Sequence, residues 1–333
     1  MLDKFVAFEY VGCYQSDVRT QCFGKRKTFN VEINIGAPFL HTDLIPEKLN
    51  SVKKLEEEDI LDITAYRNEK YVDDGSNEKL ESILQFIEKM ESDEKNLKMR
   101  IKSDIICNRG LLYKLGCMGN LKLRAVRRKN VIFMCLESKK DTARDTIHSH
   151  SALKFEKMIT DDETFMKTSR NFKNLRSGLR RKIVQRMSFD SATVLSSAEI
   201  DARDKDGNSV EIKLVWKDLT EDWYEKKSLK VYLQCYMANT KQLLIGKIKQ
   251  REKFQFVVDE IALIDRDEII HDINFVEECL KRVSEKLETV RNLLTKNDQA
   301  IYVRQIGIND FDHEYIDADD CEFVPQSFLD KFD

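Results

Sequence analysis

Two short runs place carboxylates and an ammonium at a spacing suited to hydrolytic chemistry: Glu199-Ile200-Asp201 and Glu211-Ile212-Lys213. Side chains alternate along a strand, so Glu199 and Asp201 are expected on one face, and Glu211 and Lys213 on one face of theirs. Ile200 and Ile212 then point the other way, into a core. The strands Thr193–Ala202 and Ser209–Trp216 are joined by Arg203-Asp204-Lys205-Asp206-Gly207-Asn208, a turn composition. If they pair as a hairpin, three carboxylates and one ammonium meet on one side of the sheet. Carboxylates so crowded repel one another unless a cation sits between them. Hard divalent ions such as Mg²⁺ or Mn²⁺ take oxygen ligands. A bound metal lowers the pKa of its water, and two metals can clamp the attacking and leaving oxygens of a phosphodiester. Lys213 would orient the water or hold a phosphate oxygen. The competing reading of these four residues alone is a charged, solvated hairpin face.

The elements that must position these residues follow from periodicity. Thr28–Ile35 reads as a strand, and Ser76 or Asn77 is placed to cap a helix in which Leu80, Ile83, Leu84, Ile87 and Met90 share a face. Ile101–Cys107 reads as a strand. Leu121–Val126 and Val131–Leu136 form a hairpin across Arg127-Arg128-Lys129-Asn130. Helices are expected at Ala152–Ile159 and at about Thr164–Met187, the second burying Phe172, Leu175, Leu179 and Ile183. A helix at about Lys226–Met237 leads into strands Leu243–Ile248 and Phe254–Leu263. A long helix, about Asp272 to Leu294, turns Phe275, Cys279, Val283, Leu287 and Val290 inward. Strand Ala300–Ile306 and an acidic tail close the order. Strands and helices alternate irregularly, which predicts an α/β (mixed α+β) fold of mixed sheets packed by helices.

Composition narrows the classes. The chain has 333 residues with 56 Lys+Arg against 59 Asp+Glu, a formal net charge of -3, so nucleic-acid contact must come from a local patch. With 3 Pro and 11 Gly it is not collagen-like or linker-rich. The first residues carry Asp3, Lys4 and Glu9 and offer no apolar signal region. No apolar run reaches the roughly 18 residues of a membrane span. The 8 Cys form no CxxC pair and do not space with the 5 His as a zinc site, so reduced thiols in an intracellular protein are expected. His148 and His150 read as a surface turn. No repeat or linker divides the sequence, and a single domain over 1–333 is expected.

Other segments resemble a known family. Asp104-Ile105-Ile106-Cys107-Asn108-Arg109-Gly110, followed by Leu111–Leu115, resembles the arginine motif of the DXO family of decapping and NAD-cap-removing exoribonucleases. Leu153-Lys154-Phe155-Glu156 is similar to its aromatic-Lys-Phe-Glu motif. Glu199-Ile200-Asp201 and Glu211-Ile212-Lys213 resemble its Glu-x-Asp and Glu-x-Lys motifs, a signature shared with a broad superfamily of metal-dependent nucleases. Leu229–Gln234 and Leu243–Lys249 resemble the helix ending in Gln and the strand after it, Gly246 included. The six segments keep the family's order, and the resemblance covers roughly residues 100–265. The family's usual Gly before the Lys-Phe-Glu motif is Ala152 here, and its aromatic pair is Val231-Tyr232.

The resemblance implies two twisted mixed β-sheets flanked by helices, with the active site in a deep cleft. It implies Glu156, Glu199, Asp201 and Glu211 as metal ligands, with the main-chain carbonyl of Ile212, for Mg²⁺ or Mn²⁺, as two ions. Lys213 becomes the catalytic lysine, with Glu199 in the same cluster. Arg109 and Gln234 would face the scissile phosphate or the RNA 5′ end. The activity implied is hydrolysis at RNA 5′ ends, removing incomplete or NAD caps and then degrading the RNA 5′ to 3′. The alternatives are a catalytically idle RNA-binding relative and a DNA nuclease of the wider superfamily.

Met166–Ser188 holds eight Lys and Arg and no acid within the helical run Lys167–Arg186. Read as an amphipathic helix, it presents Arg170, Lys173, Arg176 and Arg180 as an RNA phosphate track. The partner expected is an RNA 5′ end, with no membrane contact and a monomeric chain, located in the nucleus or the cytoplasm.

Overall fold

The computed structural model describes residues 5–20, 27–66, 69–72, 78–137, 143–160, 174–176, 178–216, 227–252, 255–270 and 272–333. Two mixed sheets dominate. The larger one has nine strands in the order β17 (Asp312–Ile316), β16 (Ala300–Ile306), β7 (Asn120–Arg128), β8 (Val131–Leu136), β6 (Ile105–Asn108), β11 (Thr193–Glu199), β10 (Leu179–Ser188), β1 (Ala7–Thr20) and β2 (Lys27–Ile33). The smaller runs β12 (Ala202–Arg203), β13 (Ser209–Trp216), β14 (Gln242–Glu252), β15 (Gln255–Asp265) and β3 (Ser51–Lys54), with β4 (Leu61–Asp62) also on β15. A two-stranded ribbon joins β5 (Lys70–Val72) to β9 (Asn174–Arg176).

Helices fill the layers between and outside these sheets. One face of the large sheet buries Ile106, Phe133 and Leu195 against α1 (Glu81–Lys89), α2 (Leu97–Ile101) and the C-terminal residues Phe323, Phe328 and Phe332, near α7 (Gln326–Leu329). Its other face packs on α3 (Arg109–Cys117), α5 (Leu229–Met237) and α6 (Ile273–Leu293), which also meet Leu243 and Ile245 of the small sheet. The far face of the small sheet carries Ile212, Leu244 and Ile261 under Phe155 and Ile159 at the end of α4 (Ala143–Met158). The two faces of each central strand are thus apolar, as burial on both sides requires.

Several expectations are corrected. The segment expected as a basic helix is strand where it is described, β9 and β10, with Leu175 buried in β9. Residues 161–173, with Arg170, Phe172 and Lys173, lie outside the described residues, as do Ser76 and Asn77. The run Leu179–Ser188 alternates as readily as it cycles: Lys182, Val184 and Arg186 take one face, Ile183, Gln185 and Met187 the other. Pairing with β1 on one side and β11 on the other decides for the strand. The expected Thr193–Ala202 hairpin is also not formed as such. β11 lies inside the large sheet, the chain leaves it at Ile200-Asp201, and only the two residues of β12 pair with β13. Ile101 ends a helix instead of starting a strand, and His148 and His150 lie within α4. Phe275 is 57% exposed and its neighbour Val276 takes the inward place. The acidic tail contains β17 and supplies core residues. The β7–β8 hairpin turns through Lys129 and Asn130, both at positive φ (49° and 60°), the geometry of a type I′ turn.

Candidate active site

Glu199 ends β11 in the large sheet, and Asp201 sits where the chain crosses to the small one. The main-chain N–H of Ile212 donates to Asp201 Oδ2 at 2.7 Å, which locks the crossover onto β13. Glu199 and Asp201 both line a cavity of about 240 Å³, as their spacing leads one to expect, and Ile200 between them is buried at its wall. Glu156 enters from α4, one turn after Ala152, which also lines the cavity from mid-helix and not from a turn. Arg180, Arg181 and Lys157 add positive charge to the same wall. Arg180 Nη1 is 3.6 Å from Glu199.

Glu211 and Lys213 adjoin this cavity without lining it. Glu211 is 3% exposed and is held from two sides, by the Lys213 ammonium and by Arg109 Nη1 at 3.1 Å. Burial alone would raise its pKa, but the two cations outweigh burial and hold the carboxyl down at about 2. Arg109 opens α3 directly after β6, and its guanidinium also reaches the carbonyls of Gln234 (3.4 Å) and Glu199 (3.5 Å). The Gln234 side chain, on α5, bonds the Tyr113 hydroxyl. The structure therefore ties Arg109 and Gln234 to Glu211 and the α3–α5 layer; neither lines the cavity.

The other carboxylates are not balanced in this way. Burial, followed by the charge of Glu199, pushes Glu156 up to about 7. Burial, then Glu211 and Glu156, pushes Asp201 well above the usual carboxylate range. A group of neighbouring oxygen donors in which burial and mutual repulsion outweigh the nearby cations at Glu156 and Asp201 fits a hard divalent cation, by the chemistry of the donors. Among the described residues no three carboxylate, imidazole or thiol groups stand together as a metal site, and Glu211 is engaged by Arg109 and Lys213.

The supports of the site explain two motif positions. Phe155 is fully buried, and a Cβ at residue 246 would stand 2.5 Å from its ring, so Gly246 is what lets α4 settle on β14. Buried Lys154 donates to the Thr64 carbonyl (3.0 Å) and pairs with Glu69 (2.9 Å), which anchors the same helix. The basic run, where it is described, is also not a wholly free cationic face. Lys182 is buried on Glu78 at 2.6 Å, and Arg186 pairs with Glu9. Those counter-charges lie some hundred residues or more away in sequence, which is why a local reading missed them. Arg176 lies in β9. Sequence reasoning counted Arg181 in the basic run without singling it out and passed over Lys157; the only signal of either was charge.

A family model described as RAI1 like PD-(D/E)XK nuclease matches residues 50–329. No curated protein sequence matches the chain. Among solved structures, Scheffersomyces stipitis Rai1 in complex with (3'-NADP)+ and calcium ion is similar at 16% identity, with a TM-score of 0.69, covering 98% of this chain and 96% of that one. Candida albicans Rai1 in complex with pU5-Mn2+ is 13% identical, with a TM-score of 0.67 and coverage of 98% and 95%. K. lactis Dxo1 in complex with manganese is 13% identical, with a TM-score of 0.53 and coverage of 89% and 86%.

Proposed function

The chain belongs to the RAI1-like PD-(D/E)XK nuclease family, and on that premise we propose that it hydrolyses phosphodiester or pyrophosphate linkages at RNA 5′ ends with a divalent cation. The reading extends to removal of incomplete or NAD caps followed by 5′ to 3′ degradation. The observation that carries it is the meeting of Glu156, Glu199 and Asp201 in one cavity, with Glu211 and Lys213 beside them. Glu156, Glu199, Asp201 and Glu211, with the Ile212 carbonyl, would hold Mg²⁺ or Mn²⁺, as two ions. A cation there would lower the pKa of a water and offset phosphate charge.

The remaining roles belong to the chain itself. Lys213 is a donor with no acceptor capacity, so it holds a phosphate oxygen or fixes a water by donating to it. Arg109 fixes the direction of the Glu211 carboxylate, and Gln234 holds Arg109 through its carbonyl. Arg180, beside Glu199, is placed to meet a phosphate. The Rai1 complexes with pU5-Mn2+ and with (3'-NADP)+ support RNA, a metal and a dinucleotide 5′ end as the ligand classes.

The test is a substrate panel with Mg²⁺ or Mn²⁺: RNA carrying 5′ triphosphate, an unmethylated cap or NAD, against matched DNA. Release of the 5′ group from RNA, lost on chelation, is expected. Equal cleavage of DNA would favour a general nuclease, and RNA binding without metal-dependent cleavage would favour an idle relative.

A further inference from the structure

A second cavity, of about 360 Å³, adjoins the carboxylate cavity and shares Arg181 and Ile200 with it. One wall is the face of the large sheet that carries Tyr10, Cys13, Ile183 and Gln185; the other comes from Arg203, Asn208 and Ser209 of the small sheet and its turn. No role assigned so far uses it.

Arg203 is prepared for a ligand. Its Nε donates to the Ala37 carbonyl at 2.7 Å, and its guanidinium lies 4.4 Å over the Phe39 ring. Gly36 makes room for it, since a Cβ there would stand 3.0 Å from the guanidinium carbon. No carboxylate among the described residues pairs with it. A cation held this rigidly without a counter-ion is suited to a phosphate, which guanidinium meets with two parallel donors. Gln185 stiffens the wall: it is 3% exposed and its Nε2 donates to the Ala238 carbonyl at 2.7 Å. Tyr10, 64% exposed, supplies an aromatic face of the kind on which bases stack. The volume lies within the usual range for small-ligand pockets.

We propose that this cavity is a subsite for one further nucleotide of the RNA whose 5′ end lies at the carboxylates. Arg203, with Arg181, holds its phosphate, and Tyr10 stacks its base. The RNA part of this statement rests on the function proposed above, whereas the nucleotide site does not.

The test uses the full chain in EDTA, so that no cleavage intervenes. Uridine 5′-monophosphate is titrated by calorimetry, and a 3′-labelled pentauridylate by fluorescence anisotropy. Arg203→Gln is expected to weaken both by about tenfold, the scale of a lost charge-assisted hydrogen bond. Tyr10→Ala, at an exposed position, is expected to weaken both several-fold with an unchanged Tm; it decides the matter if Arg203→Gln fails to fold. Unchanged affinity for both ligands in both variants overturns the proposal. Weakened mononucleotide binding with unchanged pentauridylate binding overturns the RNA subsite and leaves a site for free nucleotide. If wild type binds the mononucleotide through Arg203 but no RNA, the nucleotide site stands and the RNA reading falls.

Discussion

Glu211 and Asp201 are carboxylates of one cluster with opposite balances of charge. Glu211 is surrounded by Arg109 and Lys213, whereas at Asp201 burial and the neighbouring carboxylates Glu211, Glu156 and Glu199 outweigh Lys213 and the Ile212 N–H. In metal-free protein, Glu211→Gln is expected to lower stability, because breaking a buried pair costs about 3–5 kcal/mol. Asp201→Asn removes a repelling charge and is expected to leave Tm unchanged or raise it. Thermal melts with and without Mn²⁺ separate the two, and both variants should lose hydrolysis and the gain in Tm from metal. Lys213→Ala is expected to lower turnover by about 10²–10³ with a much smaller change in RNA affinity. Single-turnover rates at saturating RNA read this directly, and a variant that binds poorly but turns over normally would reverse the role.

At the scale of elements, α4 and β14 are held in register by one missing side chain. Gly246→Ala would drive a methyl into the Phe155 ring and displace the helix that carries Glu156. Overpacking of this kind costs about 1–3 kcal/mol, to be read as a fall in denaturant midpoint, with turnover falling alongside. The β10 strand gives a second test. Arg180 reaches the cavity, while Lys182 is buried on Glu78. Arg180→Gln should make the slope of log K against log salt shallower by roughly 0.7 on single-stranded RNA. Lys182→Gln should leave that slope unchanged and lower stability instead.

For the molecule as a whole, the Glu78–Lys182 pair lies between α1 and the large sheet and makes folding depend on pH. Burial would raise Glu78, but Lys182 and then Arg180 outweigh it, and its folded pKa is depressed. A depressed carboxylate stabilises the fold above its unfolded value, about 4.3. That stability is lost as pH falls through the lower folded value. Equilibrium unfolding below about pH 4.5 should therefore show a steep acid limb, and Glu78→Gln should flatten it. The stacking of the two sheets with helices between and outside them is the larger frame, and it brings Glu199 of β11 and Glu211 of β13 to one guanidinium, that of Arg109, although the two strands never pair.

The spacing of the carboxylates on each strand was legible in sequence because it is local. Glu199 and Asp201 keep the two-residue alternation of extended backbone, and so do Glu211 and Lys213, whatever those strands pair with. The α6 helix and the β7–β8 hairpin were legible for the same reason: caps, turn residues and apolar periods lie within a few positions of one another. The partners were not. Leu179–Ser188 suits a helix or a strand by pattern, and only β1 and β11 beside it decide for the strand. Phe275 and Val276 are neighbours with equal claims to the core, and the packing of α6 on α3 settles which one enters. Where the basic run is described, Lys182 and Arg186 are neutralised by Glu78 and Glu9, which reach them from far along the chain, and Arg180 by Glu199 of the adjoining strand. Arg203 looked like a turn residue until Gly36, Ala37 and Phe39, over 160 positions earlier, were seen to hold it. Periodicity and charge act over a handful of residues, whereas burial and ion pairing are properties of contacts that only the folded chain brings together.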